Sequence, residues 1–201
     1  MIDGSYKNID EQLKCLKKII RKNKKLMSVL KILDEYSKSN PNFSNYYIGA
    51  GSINQTVFNY LTGRDINYGI KDFDIVYYDD DLSYEAEDKI IKDLETLLGN
   101  KSILYDIKNQ ARVHIWYNKK YNSNRKKYIS CEDAISSWGA TITCVGVRLD
   151  NNRMIIYCPY GLNDIFTMTV RPIKKYFTKE QYDARASRWK AKWNELNIIE
   201  W

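Results

Sequence analysis

Between Ile9 and Ser37 the apolar positions recur at helical spacing: Leu13, Leu16, Ile19 and Ile20, then Leu26, Val29, Leu30 and Leu33, with lysines crowding the other face. Residues three and four apart share one side of an α-helix, so the segment predicts an amphipathic helix with its stripe on a core. A break is expected near Asn23, and the polar run Ser37–Lys38–Ser39–Asn40–Pro41–Asn42 ends the helix. The pattern then changes to short β-branched and aromatic runs. Tyr46–Tyr47–Ile48 reads as a strand entering the small-residue turn Gly49–Ala50–Gly51–Ser52, and Asn54–Leu61 as a helix burying Val57, Phe58 and Leu61. Ile70–Tyr78 reads as a strand, Asp79–Asp81 as a turn, and Ser83 as the cap of a helix that runs to Leu98 and stops at Gly99.

Further on, Ser102–Ile107 and Arg112–Tyr117 have strand composition, and Glu132–Trp138 looks helical. Thr141–Leu149 and Met154–Tyr157 read as a hairpin closed near Asp150–Asn152, with a short helix at Leu162–Phe166. The tail, Lys179–Leu196, is amphipathic and rich in Arg, Lys and Trp, and its tryptophans are expected to pack on the body of the protein. There is no internal repeat.

The 201 residues suit one domain, or one domain with a helical appendage. A net charge of +7 favours polyanionic partners such as RNA or nucleotides, though a solvated lysine face is the default reading of it. No stretch approaches the roughly 18–20 apolar residues of a membrane span, so no membrane partner is expected. The opening Met1–Gly4 has no basic-then-apolar signal pattern. Four cysteines lie far apart with no C-x-x-C pair, which argues against structural zinc and for a reducing, cytoplasmic setting. The single histidine, His114, leaves oxygen as the metal ligand to expect, and oxygen favours Mg²⁺ or Mn²⁺.

Chemistry concentrates at Ile70–Lys71–Asp72–Phe73–Asp74–Ile75–Val76–Tyr77. Side chains alternate along a strand, so Asp72 and Asp74 project from one face, about 6–7 Å apart at Cα. Two carboxylates on one face repel, and near a core they are costly unless a divalent cation sits between them. Asp106, in Ile103–Leu104–Tyr105–Asp106–Ile107, adds a third acid from a later strand. Three such acids make an oxygen-rich cage able to hold two Mg²⁺ about 3.5–4 Å apart. Upstream, Gly51 permits close approach to a phosphate at a helix start, and the Ser52 hydroxyl adds a hydrogen bond. Lys108, Asn109, Gln110 and Arg112 either contact nucleotide phosphate or sugar, or form a polar turn capping two strands. His114 reads as a structural histidine.

The ordered set of a Gly-Ser helix start, an Asp-x-Asp strand and a lone acid on a later strand resembles the nucleotidyltransferase superfamily. In particular the chain is similar to a small bacterial nucleotidyltransferase group of the NTP_transf_6 type. The matching stretches are Asp72–Ser83, Asp106–Tyr117, Glu132–Trp138, Val145–Leu149 and Pro159–Phe166, within roughly Ile48 to Pro172. The resemblance implies an α/β (α+β) fold: a nucleotidyltransferase-like mixed β-sheet flanked by helices, with an N-terminal helical extension at 1–42 and a core at 43–201 that ends in a C-terminal helix. It also implies Asp72, Asp74 and Asp106 as metal ligands and catalytic groups, and Gly51 and Ser52 as holders of the triphosphate. The expected reaction is Mg²⁺-dependent transfer of a nucleoside monophosphate from an NTP to an acceptor that is a small molecule, an RNA or a protein. The sequence leaves open a two-metal nuclease, suggested by Asp106–Ile107–Lys108, and a non-catalytic nucleotide- or RNA-binding module.

Overall fold

A computed structural model describes residues 2–99 and 104–201. Its elements run α1 (Ile9–Ile20), α2 (Lys24–Ser39), β1 (Tyr46–Gly49), α3 (Gly51–Thr62), β2 (Asp72–Tyr77), α4 (Tyr84–Leu98) and β3 (Leu104–Asn109). They continue through α5 (Val113–Tyr121), α6 (Cys131–Ile135), β4 (Gly146–Asp150), β5 (Arg153–Tyr157), α7 (Asn163–Phe166), β6 (Thr169–Val170), α8 (Lys179–Lys190) and β7 (Asn197–Ile198). The expected beginning of β3 at Ser102 and Ile103 lies outside the described residues.

Five strands form a mixed sheet in the order β3-β2-β1-β4-β5. β2 and β3 are parallel, joined through α4, because parallel neighbours need a crossover long enough to return the chain to the same end. The other pairs are antiparallel: β1 with β2, β1 with β4, and β4 with β5. β6 and β7 make a separate parallel pair.

Local chemistry sets the helix ends. Asn23 divides α1 from α2: its side-chain oxygen accepts from the Leu26 amide at 3.1 Å, while its amide donates to Thr56 Oγ1 at 3.0 Å. The Ser83 hydroxyl caps α4 by accepting from the Ala86 amide, and Gly99 closes it at φ 68°. The apolar stripes of α1 and α2, including Leu16, Ile19, Leu30 and Leu33, are buried in the same core as Ile48, Phe58, Ile75 and Val147. Asp34 of α2 is buried, yet its carboxylate accepts from the Asn151 and Asn152 amides at 3.1 and 2.9 Å and so pins the β4–β5 turn.

Two expectations need correction. Arg112–Tyr117 is not a strand: Gln110–Arg112 form a 3-10 turn and Val113 opens α5. Val113 and Tyr117, four apart, pack with Tyr128, Ala134 and Tyr176, and that tertiary contact outweighs the strand preference of Val, Ile, Trp and Tyr. The strand expected from Thr141 begins only at Gly146, after a 3-10 turn at Thr141–Thr143. The tail does pack its tryptophans: Trp193 is fully buried against Phe58, and its indole N–H donates to Asn59 Oδ1 at 2.9 Å.

Candidate functional site

The sheet register assembles the acidic face. Asp74 is the cross-strand partner of Asp106 on β3 and of Gly49 at the end of β1. Asp72, two residues earlier on β2, shares its face by strand alternation. The glycine turn therefore begins directly beside the middle acid. A Cβ at Gly49 would lie 2.7 Å from the Trp138 ring and 2.8 Å from the Val145 carbonyl, so only glycine lets β1 pass here. Ala50 then takes φ 50° and ψ −128°, a conformation that strains any residue with a Cβ, and aims the chain into α3. The Ala50 carbonyl accepts from the Ile53 and Asn54 amides. The Ser52 side chain is fully buried and donates to the Gly49 carbonyl at 2.9 Å, so its hydroxyl closes the turn instead of facing solvent.

Burial, followed by repulsion from Asp72 and Asp106, pushes the Asp74 carboxyl up to about 7, and Arg185 of α8 only partly opposes this. Burial is the larger cause, and the nearby Asp72 and Asp106 carboxylates add to it. Asp106 Oδ1 lies 2.9 Å from Lys108 Nζ, but both side chains are about half exposed, where such a pair contributes little. Among the described residues no three acidic, histidine or cysteine side chains already form a closed ion cage. The donor types nevertheless suit a hard divalent cation: all are carboxylate oxygens on adjacent strands, and their mutual repulsion is what such an ion relieves.

Two cavities flank the acids. One, of about 240 Å³, is lined by Asp74 and Asp106 together with Lys108, Gln110, Arg125 and Arg185, and aromatic rings including Trp116 and Trp138 complete its walls. The other, of about 470 Å³, borders Asp72 and is lined by Gln55, Lys71, Arg188, Trp189 and Lys192. Burial lowers the Lys192 ammonium pKa, and repulsion from Lys71 and Arg188 lowers it further.

The remaining sequence-predicted residues separate. Lys108 and Gln110 reach the first cavity, whereas Asn109 and Arg112 do not line it. The Asn109 amide group donates to the Asp79 carbonyl at 2.8 Å, and its oxygen accepts from the Asp79 and Ala111 amides. The Arg112 guanidinium ion-pairs with Glu87 and donates to the Leu82 carbonyl at 3.1 Å. Arg125 and Arg185 were not singled out from the sequence. Each reaches the site from a distant segment, and the only hint was the basic character of the tail that carries Arg185.

The family model NTP_transf_6, described as nucleotidyltransferase, matches residues 38–198. A solved structure titled as revealing a CCA-adding enzyme head domain aligns with a TM-score of 0.73 at 26% identity, covering 94% of this chain and 96% of that one. A CCA-adding enzyme in complex with ATP aligns with a TM-score of 0.56 at 13% identity, covering 92% of this chain and 43% of that one, a likeness of fold alone. A search of curated proteins returns no match.

Proposed function

Because the chain belongs to the NTP_transf_6 nucleotidyltransferase family, we propose that it transfers a nucleoside monophosphate from an NTP to an acceptor hydroxyl, releasing pyrophosphate, with a divalent metal held by Asp72, Asp74 and Asp106. The observation that carries this reading is the strand register, which sets Asp74 directly opposite Asp106 and leaves Asp72 on the same face of β2; burial, and then these two neighbours, raise the Asp74 carboxyl to about 7. Retaining three mutually repelling acids costs stability, which is sensible where a cation is to be bound.

When bound, Mg²⁺ or Mn²⁺ supplies Lewis acidity and charge neutralisation at the reacting phosphate. The chain's own groups supply position. The start of α3 at Gly51 offers backbone N–H groups and a helix dipole to phosphate oxygens. Lys71, Arg188 and Lys192 give the cavity beside Asp72 the positive charge that a triphosphate requires. In this reading Asp106, exposed and lining the other cavity, accepts the proton of an acceptor hydroxyl. Lys108 and Gln110 contribute further donors there. The ATP complex of the CCA-adding enzyme, which shares this fold, supports an NTP as donor.

The test is incubation of the protein with each α-labelled NTP, Mg²⁺ or Mn²⁺, and a cell extract. Label is expected to enter an acceptor with stoichiometric pyrophosphate, and Asp74→Asn is expected to abolish both. Tight NTP binding with no pyrophosphate under any metal would overturn transfer.

A further inference from the structure

Arg125 lies in the segment between α5 and α6, outside every motif that indicates nucleotidyl transfer. It is 7% exposed. Its backbone is fastened to the end of α5, the amide donating to Asn118 Oδ1 at 2.8 Å and the carbonyl accepting from Asn118 Nδ2 at 2.9 Å. Its guanidinium lies over the rings of Tyr117, at 3.7 Å, and Tyr176, at 4.5 Å. One terminal nitrogen donates to the Tyr128 hydroxyl at 2.7 Å, and that hydroxyl is itself fixed by a 2.7 Å hydrogen bond with Ser137.

The other two nitrogens, Nε and Nη2, are buried without a partner. Among the described residues no carboxylate forms an ion pair with Arg125, and the charges acting on Asp74 are Asp72, Asp106 and Arg185. A guanidinium cannot escape this situation by losing its proton. A buried, rigidly held cation with two unused donors is costly to a fold unless an oxyanion completes it. Nε and one terminal nitrogen form the edge that grips two oxygens of a carboxylate or phosphate. Arg125 also lines the cavity that Asp74 and Asp106 line, so such a group would enter beside the acids.

We propose that Arg125 is an oxyanion receptor in this cavity, gripping a carboxylate or phosphate of the molecule that occupies it. The site is distinct from the basic cavity at Asp72, and it goes beyond the transfer reading because oxyanion binding requires no catalysis. Its ligand is a compact group with two oxygens in one plane, flanked by a planar or apolar portion that meets the aromatic walls.

The full chain, without nucleotide or metal, is titrated with inorganic phosphate and separately with acetate while the Arg125 Nε–Hε resonance is followed by NMR. That resonance is expected to move saturably with at least one anion, and which anion moves it identifies phosphate or carboxylate as the source. Arg125→Lys keeps the charge but loses the two-pronged edge, and is expected to weaken binding roughly tenfold. An unmoved Arg125 resonance with both anions overturns the proposal, as does undiminished affinity in Arg125→Lys. Neither result bears on nucleotidyl transfer, which the labelled-NTP assay decides separately.

Discussion

Asp74 and Asp106 are direct partners across the parallel β2–β3 pair, so two carboxylates sit side by side at one level of the sheet. Such an arrangement has a sign that can be measured. The Asp74 carboxyl has an ordinary value of 3.8 and is held at about 7 in the folded protein. A folded-state value above the unfolded one means the native state binds this proton more tightly. Its stabilising contribution is therefore complete below about pH 4 and is lost as pH rises through about 7. Urea denaturation of the metal-free protein should show stability falling across that window by an amount on the order of a few kcal/mol. Asp74→Asn should remove most of the slope and be the more stable protein at pH 8. Saturating Mg²⁺ should raise wild-type stability at pH 8 far more than at pH 5, and raise that of Asp74→Asn little. A flat wild-type profile would contradict the burial of the Asp74 carboxyl beside Asp72 and Asp106.

Arg112 and Glu87 make a contrasting ion pair. Their side chains are only 15% and 13% exposed, and they hold the Asp79–Ser83 turn through the Leu82 carbonyl. Removing one partner from a pair so enclosed leaves a charge uncompensated, which costs about 3 kcal/mol. Arg112→Ala should therefore lower the melting temperature while NTP affinity, measured by titration, stays within twofold of wild type. The double change Arg112→Met with Glu87→Gln, which keeps an acceptor for the Asn109 amide at 2.8 Å, should recover much of the loss. A large fall in NTP affinity with unchanged stability would return Arg112 to the nucleotide site.

How much of this was legible in the sequence depended on the range of the interaction. Ser83 and Gly99 act within a few residues, and their capping roles could be read directly; at Asn23 the break was legible but its cap on α2 was not. The acidic strand was legible because period-two alternation puts Asp72 and Asp74 together without any tertiary information. The residues of α5 gave the opposite result. Val113, Ile115, Trp116 and Tyr117 favour a strand locally, whereas the helix is what lets Val113 and Tyr117, four apart, pack together against Tyr128 and Tyr176. The direction of the Ser52 hydroxyl and the presence of Arg125 and Arg185 at the cavity were hidden for the same reason: long-range packing sets them.

Ala50 carries strain at the hinge between β1 and α3. Its φ of 50° with ψ −128° is a region that glycine enters freely and alanine does not. Ala50→Gly should relieve that strain, with a net gain of about 1 kcal/mol after glycine's greater unfolded-state freedom is subtracted. Ala50→Val, with a β-branched side chain, should lose at least as much. Equilibrium denaturation of the two variants decides the matter, and equal stability of Gly, Ala and Val at this position would mean the turn relaxes at no cost.

Arg188 and Lys192 bring positive charge to the cavity bordered by Asp72. Lys192 donates to the Gly69 carbonyl at 3.0 Å, a contact that favours keeping its ammonium in the cavity wall with Arg188 and Lys71. Three cations kept together against their own repulsion make a favourable seat for a polyanion, because each anionic oxygen that arrives relieves that repulsion and gains a charge-assisted hydrogen bond. Arg188→Met should therefore weaken pyrophosphate binding roughly tenfold, the loss of one charged contact. It should also reduce the salt dependence of that binding, since one fewer cation takes part. Because the repulsion from Arg188 is one cause of the depressed Lys192 ammonium, the same substitution should move the Lys192 titration upward, towards an ordinary lysine. Calorimetric titration with pyrophosphate at two salt concentrations, paired with NMR titration of the Lys192 side chain, measures both effects on one protein. Unchanged pyrophosphate affinity in Arg188→Met would remove the triphosphate from this cavity and require another seat for it along the acidic face.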